Sequence, residues 1–222
     1  EISAYDILIR EDIMYVSDFL NMLYIYDISD PLEPVQLSEL QNTPESLRMC
    51  LHNNLLYLPP ERGGIITIID VSDPVNPKEL NPSEFIFADA ITFYNEYAYI
   101  NTPGGLEIWD FSDPENMNLL GSYDYIPGVF SDIVVIDNYA YIATGKFDLL
   151  IIDVTDPQNP SEAGKISSVG INNISNVLVD QNIVVFTEED SGIYIYDVSI
   201  KTNPRRLAHW PYYCDTVDIK IR

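Results

Sequence analysis

Histidine and cysteine are almost missing from this chain of 222 residues, with two of each, and lysine and arginine together number eleven. Each scarcity excludes something. His52 and His209 stand apart, no His-x-x-x-His or Cys-x-x-Cys pair occurs, and no glycine-rich phosphate loop is present. Zinc, haem and nucleotide chemistry therefore have no motif to act through. A Ser–His–Asp triad would need one of the two histidines in a cleft, and nothing in the pattern selects either. Cys50 and Cys214 share no metal-ligand spacing. They read as two buried thiols, with a staple between the first and last blades of a closed ring as the alternative. Basic residues are outnumbered by 35 acidic ones, for a formal charge of −24. That field repels phosphate backbones and anionic lipid, so no nucleic-acid partner is expected and membrane surfaces are disfavoured, while cations are favoured. No apolar run is long enough to span a bilayer, and no basic segment leads into an apolar one as in a signal peptide.

Helical periodicity is missing too: no segment keeps a 3.6-residue apolar rhythm over three turns. What is there is one phrase written five times. "LYIYDISDPLEP" (Leu23–Pro34), "ITIIDVSDPVNP" (Ile66–Pro77), "LEIWDFSDPENM" (Leu106–Met117), "LLIIDVTDPQNP" (Leu149–Pro160) and "IYIYDVSIKTNP" (Ile193–Pro204) share an apolar run, an Asp, a Ser or Thr, and a turn. The anchoring Asp27, Asp70, Asp110, Asp153 and Asp197 recur at intervals of 43, 40, 43 and 44 residues. Such a period, built of short β-type runs, marks propeller blades.

Each repeat reads as four strands. In the first these are "YDILIR" (Tyr5–Arg10), "IMYVS" (Ile13–Ser17), "LYIYDI" (Leu23–Ile28) and "VQLSEL" (Val35–Leu40). Alternating β-branched and aromatic residues, separated by Asn, Asp, Gly and Pro turns, suit half-buried antiparallel strands. Tyr15, Tyr57, Tyr99 and Tyr141 fall in one column, with Val185 as the fifth member. A column repeated in this way predicts packing between blades rather than a sugar-stacking surface. The five Asp and the Ser or Thr after them predict Asx and ST turns, which makes these carboxylates architecture and not a catalytic set. The expected fold is all-β: a β-propeller of five four-stranded antiparallel blades, plus a surplus strand that leaves room for a larger ring.

"LLIIDVTDPQNP", "ITIIDVSDPVNP" and the upstream "NYAYIA" (Asn138–Ala143) resemble the LVIVD repeat over essentially the whole chain. The resemblance implies a β-propeller of the kind common in exported or surface-attached bacterial and archaeal proteins, and it transfers no catalytic residues. Met117 stands in place of the usual second proline, and Ile200-Lys201 replaces Asp-Pro in the fifth repeat. One domain is expected over 1–222, with repeats at 3–40, 46–83, 88–123, 131–168 and 174–210 and an extra strand at 214–222. That strand, "DIKIR" (Asp218–Arg222), copies "DILIR" (Asp6–Arg10) at four of five positions. It is expected to pair in a sheet, because an open strand edge invites aggregation.

Three functional classes follow. The first is a non-catalytic extracellular or cell-surface module for protein interaction or self-assembly, with any signal peptide already removed. Its contact residues are expected in the connections between blades: Tyr123, Tyr125, Phe130, Trp210, Tyr212 and Tyr213. The second is a glycan- or metal-binding propeller. Asp89, Asp132 and Asp218 fall in or beside first strands, where a ring of inward carboxylates would suit Ca²⁺. Asp6 takes the same place in the first repeat, whereas the second carries Arg48 and the fifth Asn176. No other cofactor is expected. The third is a carboxylate hydrolase or lyase, for which the fold alone is no argument. The hairpins "SDFLN", "PPERGG", "NTPGG", "ATGKFD" and "TEEDSG" vary while the strands around them do not, and the last lacks the spacing of a calcium loop.

Overall fold

The computed structural model describes residues 4–46, 48–60, 64–80, 86–113, 116–125, 132–144, 148–167, 174–188 and 191–211. Within them the chain is all-β, in five antiparallel four-stranded sheets. Blade 1 is β1 (Ala4–Arg10), β2 (Ile13–Asp18), β3 (Met22–Asp27) and β4 (Val35–Gln41). Blade 2 is β5 (Cys50–His52), β6 (Leu55–Leu58), β7 (Thr67–Asp70) and β8 (Lys78–Glu79). Blade 3 comprises β9 (Ala90–Tyr94), β10 (Tyr97–Thr102), β11 (Gly105–Asp110) and β12 (Asn118–Asp124). Blade 4 comprises β13 (Asp132–Ile136), β14 (Tyr139–Ala143), β15 (Asp148–Asp153) and β16 (Ser161–Ser167). Blade 5 is β17 (Ile174–Asp180), β18 (Ile183–Glu188), β19 (Gly192–Asp197) and β20 (Arg205–Trp210). These are the blades of a β-propeller. The chain divides into two compact units, Glu1–Ile91 with Asp113–Met117, and Thr92–Ser112 with Asn118–Arg222. The expected surplus strand at 214–222 lies outside the described residues.

Local chemistry explains the repetition. The first hairpin of every blade turns on a residue with positive φ: Glu11, Asn53, Asn95, Asp137 and Gln181, at 51–55°. Two-residue hairpins need this left-handed backbone to match the strand twist, and after glycine Asn and Asp adopt it most readily. His52 ends β5, with Asn53 at the turn. The third strand then closes on its Asp. Asp27, Asp70, Asp110, Asp153 and Asp197 each accept the N–H two residues on, at 2.8–2.9 Å. Those bonds and the hydroxyl of the same serine, which leads at Asp70, hold the carboxyls of Asp27, Asp70 and Asp197 below the ordinary range, Asp197 at about 2. The fifth turn is not eroded in geometry: Asn203 N–H donates to the Ile200 carbonyl as Asn76 N–H does to Asp73. Lys201 also sets its ammonium 5.1 Å from the Tyr139 ring centroid and 5.7 Å from that of Tyr141, a cation–π contact that a proline could not make.

In each unit the blades pack face to face. The forward face of blade 1 (Tyr15, Leu23, Ile25) meets the rear face of blade 2 (Met49, Leu56, Leu58, Ile69). Tyr141, Leu149 and Ile151 of blade 4 likewise meet Val177, Val184, Phe186, Tyr194 and Tyr196 of blade 5. The tyrosine column is buried at all four positions, as inter-blade packing requires. Fourth strands press on the following blade's turn. A Cβ on Gly121 would lie 2.4 Å from the Pro157 carbonyl oxygen, and one on Gly164 would lie 1.9 Å from that of Lys201. Blade 1 has Ser38 in this column, and its hydroxyl donates to the Pro74 carbonyl at 2.7 Å.

Candidate functional site

The first-strand aspartates stitch blades together. Asp6 accepts its neighbour's N–H from Ile7 at 2.8 Å through Oδ1, and the N–H of Met49 in blade 2 at 2.7 Å through Oδ2. Asp132 repeats the arrangement, accepting from Ile133 at 2.9 Å and from Val177 in blade 5 at 3.0 Å. Each carboxylate thus bridges two inner strands, and a cation would have to compete with those charge-assisted bonds. Asp89 sits half-buried, its carboxyl pushed up by desolvation against the opposing pull of Arg48. In blade 5 the Asn176 amide donates to Thr187 Oγ1 at 3.3 Å. Asp218 lies outside the described residues. Among the described residues no three His, Cys, Asp or Glu side chains gather as a metal site would require.

The aromatics expected to meet a partner divide sharply. Tyr123 donates its hydroxyl to Glu162 of blade 4 at 3.1 Å, and burial followed by that carboxylate pushes the phenol's pKa up. Tyr125 donates to the Asn101 side chain. Both therefore tie strands together. Trp210 at the end of β20 is 59% exposed. Its neighbour His209 is a strand residue, stacked on Tyr194 at 4.2 Å with Nε2 2.8 Å from the Ser191 carbonyl. Phe130, Tyr212 and Tyr213 lie outside the described residues.

The strongest exposed feature was missed by sequence reasoning. Phe19 and Leu20, at the tip of the β2–β3 hairpin, are 53% and 73% exposed. The Asp18 carboxylate, itself buried, accepts the N–H groups of Leu20 and Met22 at 2.8 and 3.0 Å through one oxygen. Asn21 completes the turn with φ 59°, and Tyr5 lies against Phe19 at a centroid distance of 4.0 Å. The hairpin is thus held rigid while two large apolar side chains face water. The signal in the sequence was a pair of large apolar residues between the turn formers Asp18 and Asn21, where solvated loops carry polar residues. At the same end of blade 2, the bridged pair Ile65 and Phe87 is also exposed. The opposite end of each blade carries the Asp-rich turns. Cys50, also among the residues read from sequence, is a free thiol whose burial pushes its pKa up to about 12.

A family model described as the LVIVD repeat matches residues 3–40, 61–82, 87–125 and 127–167. Blade 5 is outside those stretches yet makes the same Asp-capped turn. The chain is similar in fold to the computationally designed Ika8 protein, at 16% identity and a TM-score of 0.70, covering 95% of this chain and 61% of that one. The Cps50 (Swd1) β-propeller domain of Myceliophteria thermophila matches at 13% identity and TM-score 0.68, over 90% of this chain and 69% of that one. BamB from Moraxella catarrhalis matches at 10% identity and TM-score 0.60, over 92% and 60%. The chain therefore spans about three fifths of the length of the designed protein and of BamB. No curated protein matches its sequence. Among the described residues no helix is long and apolar enough to cross a membrane.

Proposed function

Because the chain belongs to the LVIVD-repeat family, we propose that it is a non-catalytic interaction module working outside the cell or at its surface. The observation that carries this reading is the Phe19–Leu20 hairpin, two exposed apolar side chains on a turn fixed by a buried carboxylate. Rigid apolar anchors are what protein partners bury at the centre of an interface, because little conformational freedom is lost on docking. The formal charge of −24 keeps such a surface soluble between encounters. Variable hairpins on a constant repeat supply the specificity.

The test is cross-linking on intact cells, with protease accessibility as the check on location. The wild-type chain is expected to capture one defined partner. Phe19→Ser with Leu20→Ser should lose it, and Val75→Ser, an exposed residue in the Asp-rich turn of blade 2, should not. Equal capture by all three removes the reading. A second reading, glycan binding, rests on the exposed indole of Trp210, since sugar rings stack on such faces. A glycan array with wild type and Trp210→Ala decides it. Hits that survive the substitution, or no hits at all, discard it.

A further inference from the structure

Four of the five outer strands are guarded. β4, β12, β16 and β20 each step through a bulge against the third strand, at Ile25/Tyr26, Ile108/Trp109, Ile151/Ile152 and Ile195/Tyr196. Each also carries charge: Glu39, Asp124, Glu162 with Lys165, and Arg205 with Arg206. Bulges and charged side chains keep an edge from pairing with foreign strands. Blade 2 departs from this pattern. Its outer strand comes in two pieces: β8, and Ile86–Ala88, which pairs back on Gly64–Ile66. The second piece holds no charge and no proline.

That short ribbon is well anchored. Ile66 N–H donates to the Ile86 carbonyl and Ala88 N–H to the Gly64 carbonyl, both at 2.9 Å. Ile66, Ile86 and Ala88 are buried on one face. Ile65 and Phe87, directly opposite each other, share the other face and are 46% and 54% exposed. Because the two hydrogen bonds flank this pair, the N–H and C=O of Phe87 point away from Gly64–Ile66, outward from the blade.

We infer that Ile86–Ala88 is a strand-addition site for a short extended segment of a protein partner, one that alternates apolar residues with Lys or Arg. Main-chain pairing to Phe87 sets the register, and an apolar side chain of the segment packs on Phe87 and Ile65. Charge selects the occupant. Between Glu1 and Ile91 stand sixteen acidic residues against four basic ones. Such a field draws in a basic segment and opposes a second copy of this chain, edge to edge. The inference rests on the reading of the chain as an interaction module and adds a surface separate from the Phe19–Leu20 hairpin.

A displayed library of random short segments, selected on the full chain, tests this. Enriched segments are expected to alternate β-branched or aromatic residues with Lys or Arg. The best of them, synthesised, should bind less tightly as salt rises. A copy N-methylated on its pairing edge keeps the charges and should bind about tenfold more weakly, the loss expected for one or two main-chain hydrogen bonds. Phe87→Pro removes the outward N–H and leaves the bonds to Gly64 and Ile66 in place. Ile65→Ser removes half of the apolar pair. Each should weaken binding by a similar factor and keep a cooperative melt. If Phe87→Pro does not fold, Ile65→Ser and the N-methylated segment decide. Phe19→Ser with Leu20→Ser should bind the segment like wild type, which separates failure of the hairpin reading from failure of this one. No enrichment, or enrichment of acidic or unpatterned segments, overturns the inference. So does an N-methylated segment, Phe87→Pro or Ile65→Ser that binds undiminished, or a double hairpin variant that loses binding. A wild-type dimer abolished by Phe87→Pro also overturns it, because the occupant would then be a second copy.

Discussion

Blades 1 and 5 carry nearly the same third strand, "LYIYD" at Leu23–Asp27 and "IYIYD" at Ile193–Asp197, and bury opposite halves of it. In blade 1, Leu23 and Ile25 are fully enclosed and the two tyrosines are half-open. In blade 5, Tyr194 and Tyr196 are enclosed and the two isoleucines are half-open. The alternation is identical, because a strand sends successive side chains to opposite faces. What differs is the neighbour. Blade 1 packs forward on blade 2, and blade 5 receives blade 4 on its rear face. Blade 4, with "LLIID" at Leu149–Asp153, buries both faces and is apolar on both. A tyrosine face works under cover or in the open, since its ring packs and its hydroxyl stays wet.

The largest test of this contrast is a pair of truncations in one column. Ile151→Ala, on the enclosed forward face of blade 4, is expected to cost about 4 kcal/mol by urea denaturation. Ile195→Ala, its half-buried counterpart in blade 5, should cost about 1 kcal/mol. Equal losses would show that the blade 5 face is covered. Next comes the small column. Gly164→Val forces a side chain into the Lys201 carbonyl and should destabilise by about 3 kcal/mol. Ala208→Val should remain within about 0.5 kcal/mol, as for a surface change.

A smaller effect is expected at the inner strands. Asp132→Ala removes the carboxylate bridge to Val177 and should cost about 2 kcal/mol. If the residue is purely a bridge, that loss is the same in Ca²⁺ and in EDTA, whereas a calcium-dependent wild-type melt would support the metal reading. The smallest effect should be shared by both end blades. Asp27 and Asp197 are held below their ordinary carboxyl values, Asp197 at about 2. A lowered folded-state value means the stabilisation is complete above the unfolded pKa near 3.8 and disappears as pH falls through about 2 for Asp197. Asp197→Asn should flatten the melting temperature over that window and lower it at pH 7, where the wild-type carboxylate contributes its full stabilisation.

The strands, hairpins and Asp caps were legible because each is decided within a few residues. The alternation in Leu23–Asp27, the Asp27-to-Ser29 hydrogen bond and the tight turn at Asn53 depend on nothing remote. The tyrosine column was legible for a related reason: Tyr15, Tyr57, Tyr99 and Tyr141 recur with the repeat, and a repeated aromatic has a repeated neighbour. The fate of Asp6 and Asp132 was harder to read. A carboxylate on a first strand looks alike whether it faces a cation or the N–H of Met49 or Val177. Tyr123 and Tyr125, read as contact residues, also give their hydroxyls to Glu162 and Asn101, partners too remote in sequence to be read from the pattern.

By itself, then, the sequence determined the all-β repeat, its period, its capped turns and the two-faced character of each sheet, since backbone sterics and short-range hydrogen bonds act through positions i to i+4. Tertiary structure alone decided which face of each sheet is covered, that Asp18 aims Phe19 and Leu20 at solvent, and that Gly164 must lack a side chain. Those outcomes depend on surfaces brought together from more than thirty residues apart, or on a carboxylate buried by its surroundings. Nearly identical strands at Leu23–Asp27 and Ile193–Asp197 bury opposite faces because burial belongs to the pair of faces and not to the strand.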